Sequence, residues 1–185
     1  ILPYSVAPEL RESYIKDARK YVDLAEQKNG PIPAEASYEY LWGDALKVLK
    51  TMKPDFRIIN LETAVTDHTE FWEGKGINYR MHPNNADLLI EANIDLCLLA
   101  NNHILDFSHG GLQQTLQNLN EKGIFTAGAG SNIEEASKPA IFPLKTGRLL
   151  VFSFASPSAG VPGSWKATTD RPGVNYLESL SSKSA

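Results

Sequence analysis

The hydrophobic residues of this chain recur with two different spacings, and the spacings alternate along the sequence. Over 8–27, apolar residues stand three to four positions apart among charged ones, which predicts an amphipathic surface helix. A second helix is predicted to begin after Ser37, its expected N-cap, and to end before Pro54. Residues 55–62 are rich in β-branched and apolar types and predict a strand. The connection that follows, 63–82, has no sustained period, and its length is typical of a functional loop.

The alternation continues through the middle of the chain. A helix over 83–92 precedes a short apolar run at 96–100, which predicts a strand buried on both faces. A helix over 111–123 then leads to a third strand at 124–127, and two more strands, joined by a glycine turn, are predicted within 140–155. Strands that alternate with helices indicate an α/β fold, with a layered, mainly parallel sheet and flanking helices.

Polar side chains stand where these predicted strands end. The first strand ends in Asn60, Leu61 and Glu62, and the apolar run at 96–100 is followed by an amide pair and His103. Because parallel strands end at the same edge of a sheet, these side chains are expected to converge there, together with the chain at Gly128. Carboxylate, amide and imidazole groups are acceptable ligands for a divalent metal, and an imidazole beside a metal can act as a general acid.

Composition limits what this edge can bind. The 185 residues are 42% hydrophobic and suit one domain. A net charge of −4 gives no general attraction to nucleic acid or to an anionic membrane, so an anionic partner must be held by local groups. No apolar run approaches the ~20 residues of a membrane helix. The single cysteine, Cys97, lies in a predicted strand and is interpreted as a small core residue.

The ends of the chain differ from its middle. We expect one domain over 1–185, with a core at about 38–155 and a loop-rich tail at 156–185, where Gly, Pro and Ser become frequent. The chain opens on Ile1 and closes without a helix or strand signal. The sequence therefore predicts a fragment of a longer protein, incomplete at both ends.

Several motifs, in order along roughly 38–175, resemble a known family. It comprises the CapA-like poly-γ-glutamate capsule biosynthesis proteins of the metallophosphatase (calcineurin-like phosphoesterase) superfamily. The motifs are Trp42-Gly43-Asp44, Asn60-Leu61-Glu62-Thr63, Gly74-Lys75-Gly76-Ile77-Asn78-Tyr79-Arg80, Leu99-Ala100-Asn101-Asn102-His103 with Asp106, Gly111-Leu112 and Ala127-Gly128-Ala129-Gly130.

The resemblance implies a metallophosphatase-like fold and a divalent metal, Mn, Zn, Fe or Mg, dinuclear in the complete domain. Glu62 stands at the position of the metal-bridging carboxylate and Asn102 at that of a metal ligand, with Asn60 assigned to the same metal site. His103 stands at the position of the acid that assists the leaving group, and Asp106 is grouped with it as catalytic.

The substrate side is less determined. Lys75 and Arg80 are candidates to clamp an anionic polymer or a phosphate, and Asn101 is grouped with them, but ordinary solvated loop charges remain an equal interpretation. His68 and His109 are further candidate ligands, with exposed loop histidines as the more common alternative.

The chain also departs from the superfamily pattern. The superfamily has an aspartate after a first strand and histidines near the end of the domain, and neither is present, so both are expected outside Ile1–Ala185. A glutamate, Glu62, replaces the usual bridging aspartate, and Ile104 follows His103 where an acidic residue is common.

Three functional hypotheses follow. The first is metal-dependent phosphoesterase- or hydrolase-like chemistry in poly-γ-glutamate metabolism. The second is a non-catalytic subunit that binds an anionic polymer or serves assembly. The third is a structural domain in which Asn102 and His103 only cap a helix. The resemblance further implies an anionic polymer or phosphate-containing substrate, partners among the membrane proteins of capsule synthesis, no nucleic acid, and a membrane-associated or extracellular location.

Overall fold

Short strands alternate with helices along the chain. The computed structural model describes residues 2–179 and 181. The helices within them are α1 (Arg19–Asn29), α2 (Tyr38–Trp42), α3 (Ala45–Met52), α4 (Asp87–Glu91), α5 (Ser108–Glu121) and α6 (Ile133–Ser137). The strands are β1 (Ile58–Asn60), β2 (Ala64–Val65), β3 (Arg80–Met81), β4 (Leu96–Leu98), β5 (Phe125–Ala127), β6 (Ala129–Gly130), β7 (Ala140–Pro143), β8 (Arg148–Val151) and β9 (Gly173–Val174).

The centre of the fold is a three-stranded parallel sheet with the order β1-β4-β5. Cys97 in β4 pairs with Ile59 on one side and with Thr126 on the other. The middle strand is buried because both faces are covered, and Leu96 and Cys97 are fully buried. Burial raises the pKa of the Cys97 thiol to about 12, so it is an inert core residue. The predicted α/β fold with a mainly parallel sheet and flanking helices is confirmed.

Two separate apolar clusters hold the sheet. The larger one includes Cys97 and Leu99 together with Leu112 and Leu119 of α5. The smaller one packs Leu96 and Ala127 of the sheet against Ala140 and Phe142 of β7. Strands β7 and β8 form the predicted antiparallel hairpin, and its turn contains Gly147 at φ 89, a left-handed conformation that favours glycine.

The predicted N-terminal helix over 8–27 is wrong in its first half. Helix α1 begins only at Arg19, and residues 8–18 form a loop closed by main-chain hydrogen bonds from Ala18 to Pro8 (2.8 Å) and from Leu10 to Lys16 (2.9 Å). These bonds replace the helical ladder. Asp17 adds a side-chain cap, since its Oδ1 accepts the main-chain N–H of Arg19 at 2.9 Å. The apolar spacing over 8–18 therefore does not mark a buried helix face, and Tyr14 within it is largely exposed.

Other element boundaries also differ from the prediction. The helix expected after Ser37 is split into α2 and α3 at Gly43, whose φ of 50 interrupts the helical path. Helix α5 begins at Ser108, three residues before the expected start. The long connection 63–82 contains a parallel pair, β2 and β3, that is too short to leave a periodic signal.

The segment from Ser156 onward is irregular but packs closely against the rest of the molecule. Trp165 is fully buried, and Val161 and Val174 lie in the larger apolar cluster. Strand β9 pairs antiparallel with β6, and the main-chain N–H of Asn175 donates to the carbonyl of Gly128 at 2.9 Å. None of the helices in the described part of the chain has the length and apolarity needed to cross a membrane.

We predict that Trp165→Ala lowers the free energy of unfolding by about 3–5 kcal/mol, because it empties the site of a fully buried aromatic side chain. Urea denaturation followed by circular dichroism would measure the loss. Tyr14→Ala, at a side chain that is 73% exposed, is the matched control and should change stability by less than about 0.5 kcal/mol. Equal effects of the two substitutions would contradict the packing of this segment.

Candidate functional site

The ends of β1 and β4 are tied together by an asparagine amide. Nδ2 of Asn101 donates to Oδ1 of Asn60 and to the carbonyl of Leu61, both at 3.0 Å. Nδ2 of Asn60 in turn donates to Oε2 of Glu62 at 3.2 Å. Oε1 of Glu62 lies 3.8 Å from Nε2 of His103. The polar strand ends that the sequence predicts to converge therefore do so.

The third strand end lies against the same region of main chain. Gly128 follows β5 with φ 95, and a Cβ on this residue would lie 2.7 Å from the Cβ of Ala100. The glycine is required both by its left-handed conformation and by this close approach. Gly128 thus lets the chain leave β5 directly beside the Asn-Asn-His segment.

His103 is held in one orientation by contacts on several sides. Its main-chain N–H donates to Oδ1 of Asn101 at 3.0 Å, and its Nδ1 lies 2.7 Å from Oδ2 of Asp106. The ring of Tyr79 stacks on the imidazole with 4.3 Å between centroids. Only 9% of the His103 side chain is exposed. The imidazole is therefore pre-positioned, with the Nε2 edge turned to Glu62.

The hydrogen-bond partners of His103 assign its tautomer. Oδ2 of Asp106 accepts the main-chain N–H of Tyr79 at 2.7 Å, so this oxygen acts as a hydrogen-bond acceptor. At 2.7 Å from this acceptor, Nδ1 of His103 carries the hydrogen. Nε2 is then the acceptor nitrogen of the neutral ring, and it can take up a proton or bind a metal.

Asp106 is fully buried, and the 72–80 loop wraps around it. Its carbonyl accepts the main-chain N–H of Trp72 at 2.9 Å and Nδ2 of Asn78 at 3.1 Å. Its Oδ1 forms an ion pair with Nζ of Lys75 at 2.7 Å, although Oδ1 accepts no well-directed hydrogen bond from the described residues. A buried charge is costly unless it is paired, so the loop and the carboxylate stabilise each other.

Lys75, a predicted substrate-binding residue, lies inside the site. Besides Asp106, its Nζ contacts the carbonyl of Ile77 at 3.0 Å and Nδ1 of His103 at 3.1 Å. Its side chain is 20% exposed. The sequence predicts this cation as a candidate clamp for an anionic ligand, with an ordinary solvated loop charge as the equal alternative.

Arg80 is also engaged in internal contacts. Its guanidinium donates to the carbonyls of His68 (2.8 Å) and Ala7 (3.0 Å) and lies 4.7 Å from the ring centroid of Phe107. It therefore ties the N-terminal segment to the 63–82 connection. Burial lowers the pKa of this guanidinium. That Lys75, Arg80 and Asn101 bind a substrate stays a prediction.

The two other histidine candidates pack against different groups. The ring of His68 lies against Gly110, where a Cβ would come within 2.5 Å of Nε2. The ring of His109 meets Trp72 edge-on, with 5.5 Å between centroids. These packing contacts do not bring His68 or His109 to Glu62 and His103.

Asn102 is half-buried beside the segment that follows Ser156. A Cβ on Gly160 would lie 3.6 Å from Nδ2 of Asn102. The Asn102 side chain makes no hydrogen bond with the described residues. Its amide thus remains available to a ligand, and the neighbouring segment, which the sequence presents only as a tail, forms one border of the site.

The donor types at this edge suit a divalent metal, but their number is small. Glu62 and Nε2 of His103 face each other, and the Asp106 carboxylate behind Nδ1 is the usual outer-shell support of a metal-binding histidine. No group of three His, Cys, Asp or Glu residues within the described part of the chain is arranged to hold a metal. A catalytic zinc site has three protein ligands, so Glu62 and His103 alone do not complete one.

Two clefts open beside the site. One, of about 400 Å³, runs between the N-terminal segment and the candidate residues and is lined by Glu62, Tyr79, Phe71 and Arg80, among others. The second, of about 500 Å³, has aromatic and proline walls from Trp72 and from the segment after Ser156. Neither cleft could be predicted, because both have walls from segments without a regular pattern.

Comparison with known proteins identifies the family. A sequence model of the family described as bacterial capsule synthesis protein PGA_cap matches residues 11–184. The chain belongs to this family. A probable polyglutamine synthesis accessory protein from Mycobacterium tuberculosis (strain CDC 1551 / Oshkosh) is 45% identical over 175 residues, which are 94% of this chain and 46% of the relative. A protein with the same description from strain ATCC 25618 / H37Rv matches to the same extent. This PGA_cap chain therefore spans about half the length of these relatives.

We predict that His109 makes the stability of this PGA_cap chain depend on pH. Burial, together with the charge of Arg171, lowers the pKa of His109 in the folded state below its ordinary 6.5. The unfolded state then binds this proton more readily, so stability falls as pH decreases from about 6.5 toward the folded pKa.

His109→Gln should remove that part of the slope, which corresponds to at most about one proton. Urea denaturation between pH 8 and pH 5 would measure it. The comparison at pH 8, where the imidazole is neutral in both states, separates any lost packing from the titration. An unchanged slope in the variant would contradict the assignment.

Proposed function

We propose that this chain serves the synthesis of a capsule-type polyglutamate polymer, as part of a protein with metal-dependent phosphoesterase- or hydrolase-like chemistry. One observation carries the proposal: a buried carboxylate, Asp106, orients His103 so that Nε2 faces Glu62 at the carboxyl edge of a parallel sheet. Ligands of open α/β sheets bind at this edge. Membership of a capsule synthesis family and the naming of the relatives support the same pathway.

In this proposal His103 moves a proton at Nε2. Asp106 accepts a hydrogen bond from Nδ1–H and so holds the ring in place. It also stabilises the imidazolium that forms when Nε2 takes up a proton. A protonated Nε2 can then donate to the oxygen of a leaving group. General acid catalysis of this kind typically contributes 10²–10⁴-fold to a rate.

Glu62, Asn102 and Asn60 would hold a divalent metal, Mn, Zn, Fe or Mg. When bound, such an ion acts as a Lewis acid that polarises a carbonyl or phosphoryl oxygen. Asn101 fixes the orientation of Asn60 through the amide hydrogen bond between them, and Asn60 steadies Glu62. Because the chain spans 46% of its relatives, the remaining ligands and a second ion belong, in this proposal, to residues beyond those described.

The substrate in this proposal is an anionic polymer or a phosphate-containing compound. It enters through the cleft of about 400 Å³ that opens at Glu62 and Tyr79. The partners are membrane proteins of capsule synthesis, and the protein is membrane-associated or extracellular. These last assignments rest on the family alone.

We expect tight metal binding only in a protein extended at both ends to the length of the relatives. Metal content and thermal shift with Mn²⁺, Zn²⁺ and Mg²⁺ would be measured for the 185-residue chain and for the extended protein. Asn102→Ala should abolish the shift in the extended protein, whereas Asn120→Ala, on the exposed face of α5, should retain it. Absence of binding in both proteins would remove the metal-dependent function.

We further expect His103→Gln to lower hydrolysis of an aryl phosphate or of poly-γ-glutamate by the extended protein at least about 10²-fold, because proton transfer is lost. Metal content should stay unchanged. Full activity in this variant would refute the proposed role of His103.

A second candidate function is a non-catalytic subunit that binds an anionic polymer or serves assembly. Two observations favour it: the described residues supply only a partial ligand set, and the relatives are described as accessory proteins. It predicts that poly-γ-glutamate binds in the presence of a chelator and is released by salt. Binding should also weaken when Lys75 and Arg80 are replaced by glutamine in a variant shown to fold by circular dichroism. No polymer binding at low salt would rule this function out.

A further inference from the structure

The Lys75 ammonium is engaged inside the protein. A lysine ammonium carries three N–H groups. Nζ forms an ion pair with Oδ1 of Asp106 at 2.7 Å and donates to the carbonyl oxygen of Ile77 at 3.0 Å. Nδ1 of His103 lies 3.1 Å from Nζ, but because its hydrogen points to Asp106 it accepts no hydrogen bond from Lys75. With its side chain 20% exposed, this cation has little capacity left for an external anion.

The partners of Asp106 divide between its two oxygens. Oδ2 serves His103 and the main-chain N–H of Tyr79, and both contacts measure 2.7 Å. Oδ1 forms an ion pair with Lys75, and among the described residues this is its one polar partner. Without Lys75, Oδ1 would be a charged oxygen buried without a partner, and the carboxylate would gain by turning toward any remaining donor.

The loop that carries Lys75 is itself fixed to Asp106. Trp72 and Asn78, on either side of Lys75, both donate to the carbonyl of Asp106. Between them, Gly74 takes a left-handed φ of 73. The turn that carries Lys75 is therefore hydrogen-bonded to Asp106 at both of its ends, and this places the ammonium beside the Asp106 carboxylate.

We propose that Lys75 is a positioning residue: it holds Asp106 so that Oδ2 fixes the Nδ1–H tautomer of His103 and leaves Nε2 as the acceptor that faces Glu62. Lys75 acts on His103 through Asp106 and does not clamp substrate. The inference deepens the proposed function, since the value of a fixed tautomer rests on the proposed role of His103. The tautomer itself can be measured without any activity.

The test is ¹⁵N nuclear magnetic resonance of the full chain labelled at histidine. The chain has four histidines, and loss of one signal set in His103→Gln assigns His103. In the unmodified chain we expect one tautomer, with Nδ1 protonated and Nε2 unprotonated. In Lys75→Met we expect both nitrogens to shift toward the averaged values of a ring that exchanges between tautomers. Lys75→Arg, which retains the cation, should restore at least part of the single-tautomer pattern.

Lys122→Met is the matched control. Lys122 also forms an ion pair, with Asp87, and its side chain is 24% exposed, close to the value for Lys75. This variant should leave the His103 signals unchanged. If Lys75→Met does not fold, the double variant Lys75→Met/Asp106→Asn removes both buried charges and should fold, and it should likewise show exchanging tautomers.

Two results would overturn the inference: a protonated Nε2 in the unmodified chain, or a His103 pattern in folded Lys75→Met that matches the unmodified chain. Failure of the proposed function is a different result. It would appear as absent metal binding and absent hydrolysis in the extended protein, while the tautomer and its dependence on Lys75 stayed as described.

Discussion

A carboxylate with no exposure to water is the constraint on which this site depends. A carboxylate buried in this way needs partners, and those of Asp106 come from the 72–80 loop and from His103. Lys75 supplies charge, His103 supplies Nδ1–H, and the main-chain N–H of Tyr79 supplies a further hydrogen bond. To bring these groups together the 72–80 loop must fold back over the end of β4. The Asp106 carboxylate therefore holds both the 72–80 loop and the imidazole of His103 in place.

The groups on the two sides of the His103 ring differ in their exposure to water. Asp106, behind His103, is fully buried, whereas Glu62, in front of it, has a side chain that is 53% exposed. Asn101 bridges the two regions by joining the ends of β1 and β4. A buried carboxylate behind the imidazole, with the acceptor nitrogen facing an exposed carboxylate, suits proton transfer or metal binding. A histidine that only capped a helix would not require a buried carboxylate behind its ring.

The sequence predicts the parts of this molecule that rest on regular repetition. Buried parallel strands produce apolar runs that end in polar residues, so the sheet and the meeting of Glu62 with His103 could be predicted. Irregular segments leave no such pattern. Trp165 packs into the core from a Gly- and Pro-rich stretch, and nothing in its neighbours signals that burial. Lys75 is similar, because an ion pair with a residue 31 positions away depends on how the loop folds and not on local spacing.

The charge distribution places a condition on both proposed functions. The chain carries a net charge of −4, and the two cations of the motif segment, Lys75 and Arg80, make contacts with internal partners. Glu62 adds negative charge at the mouth of the cleft. An anionic polymer approaching this edge would therefore be repelled unless a further positive charge stands there. A divalent ion, if held by Glu62 and Asn102, would supply that charge as well as Lewis acidity, so a metal would serve binding even if no bond were cleaved. Binding that persists without metal must then use cations elsewhere on the protein, or Lys75 and Arg80 released from their internal contacts. The choice between the two functions is thus a question of where the positive charge lies.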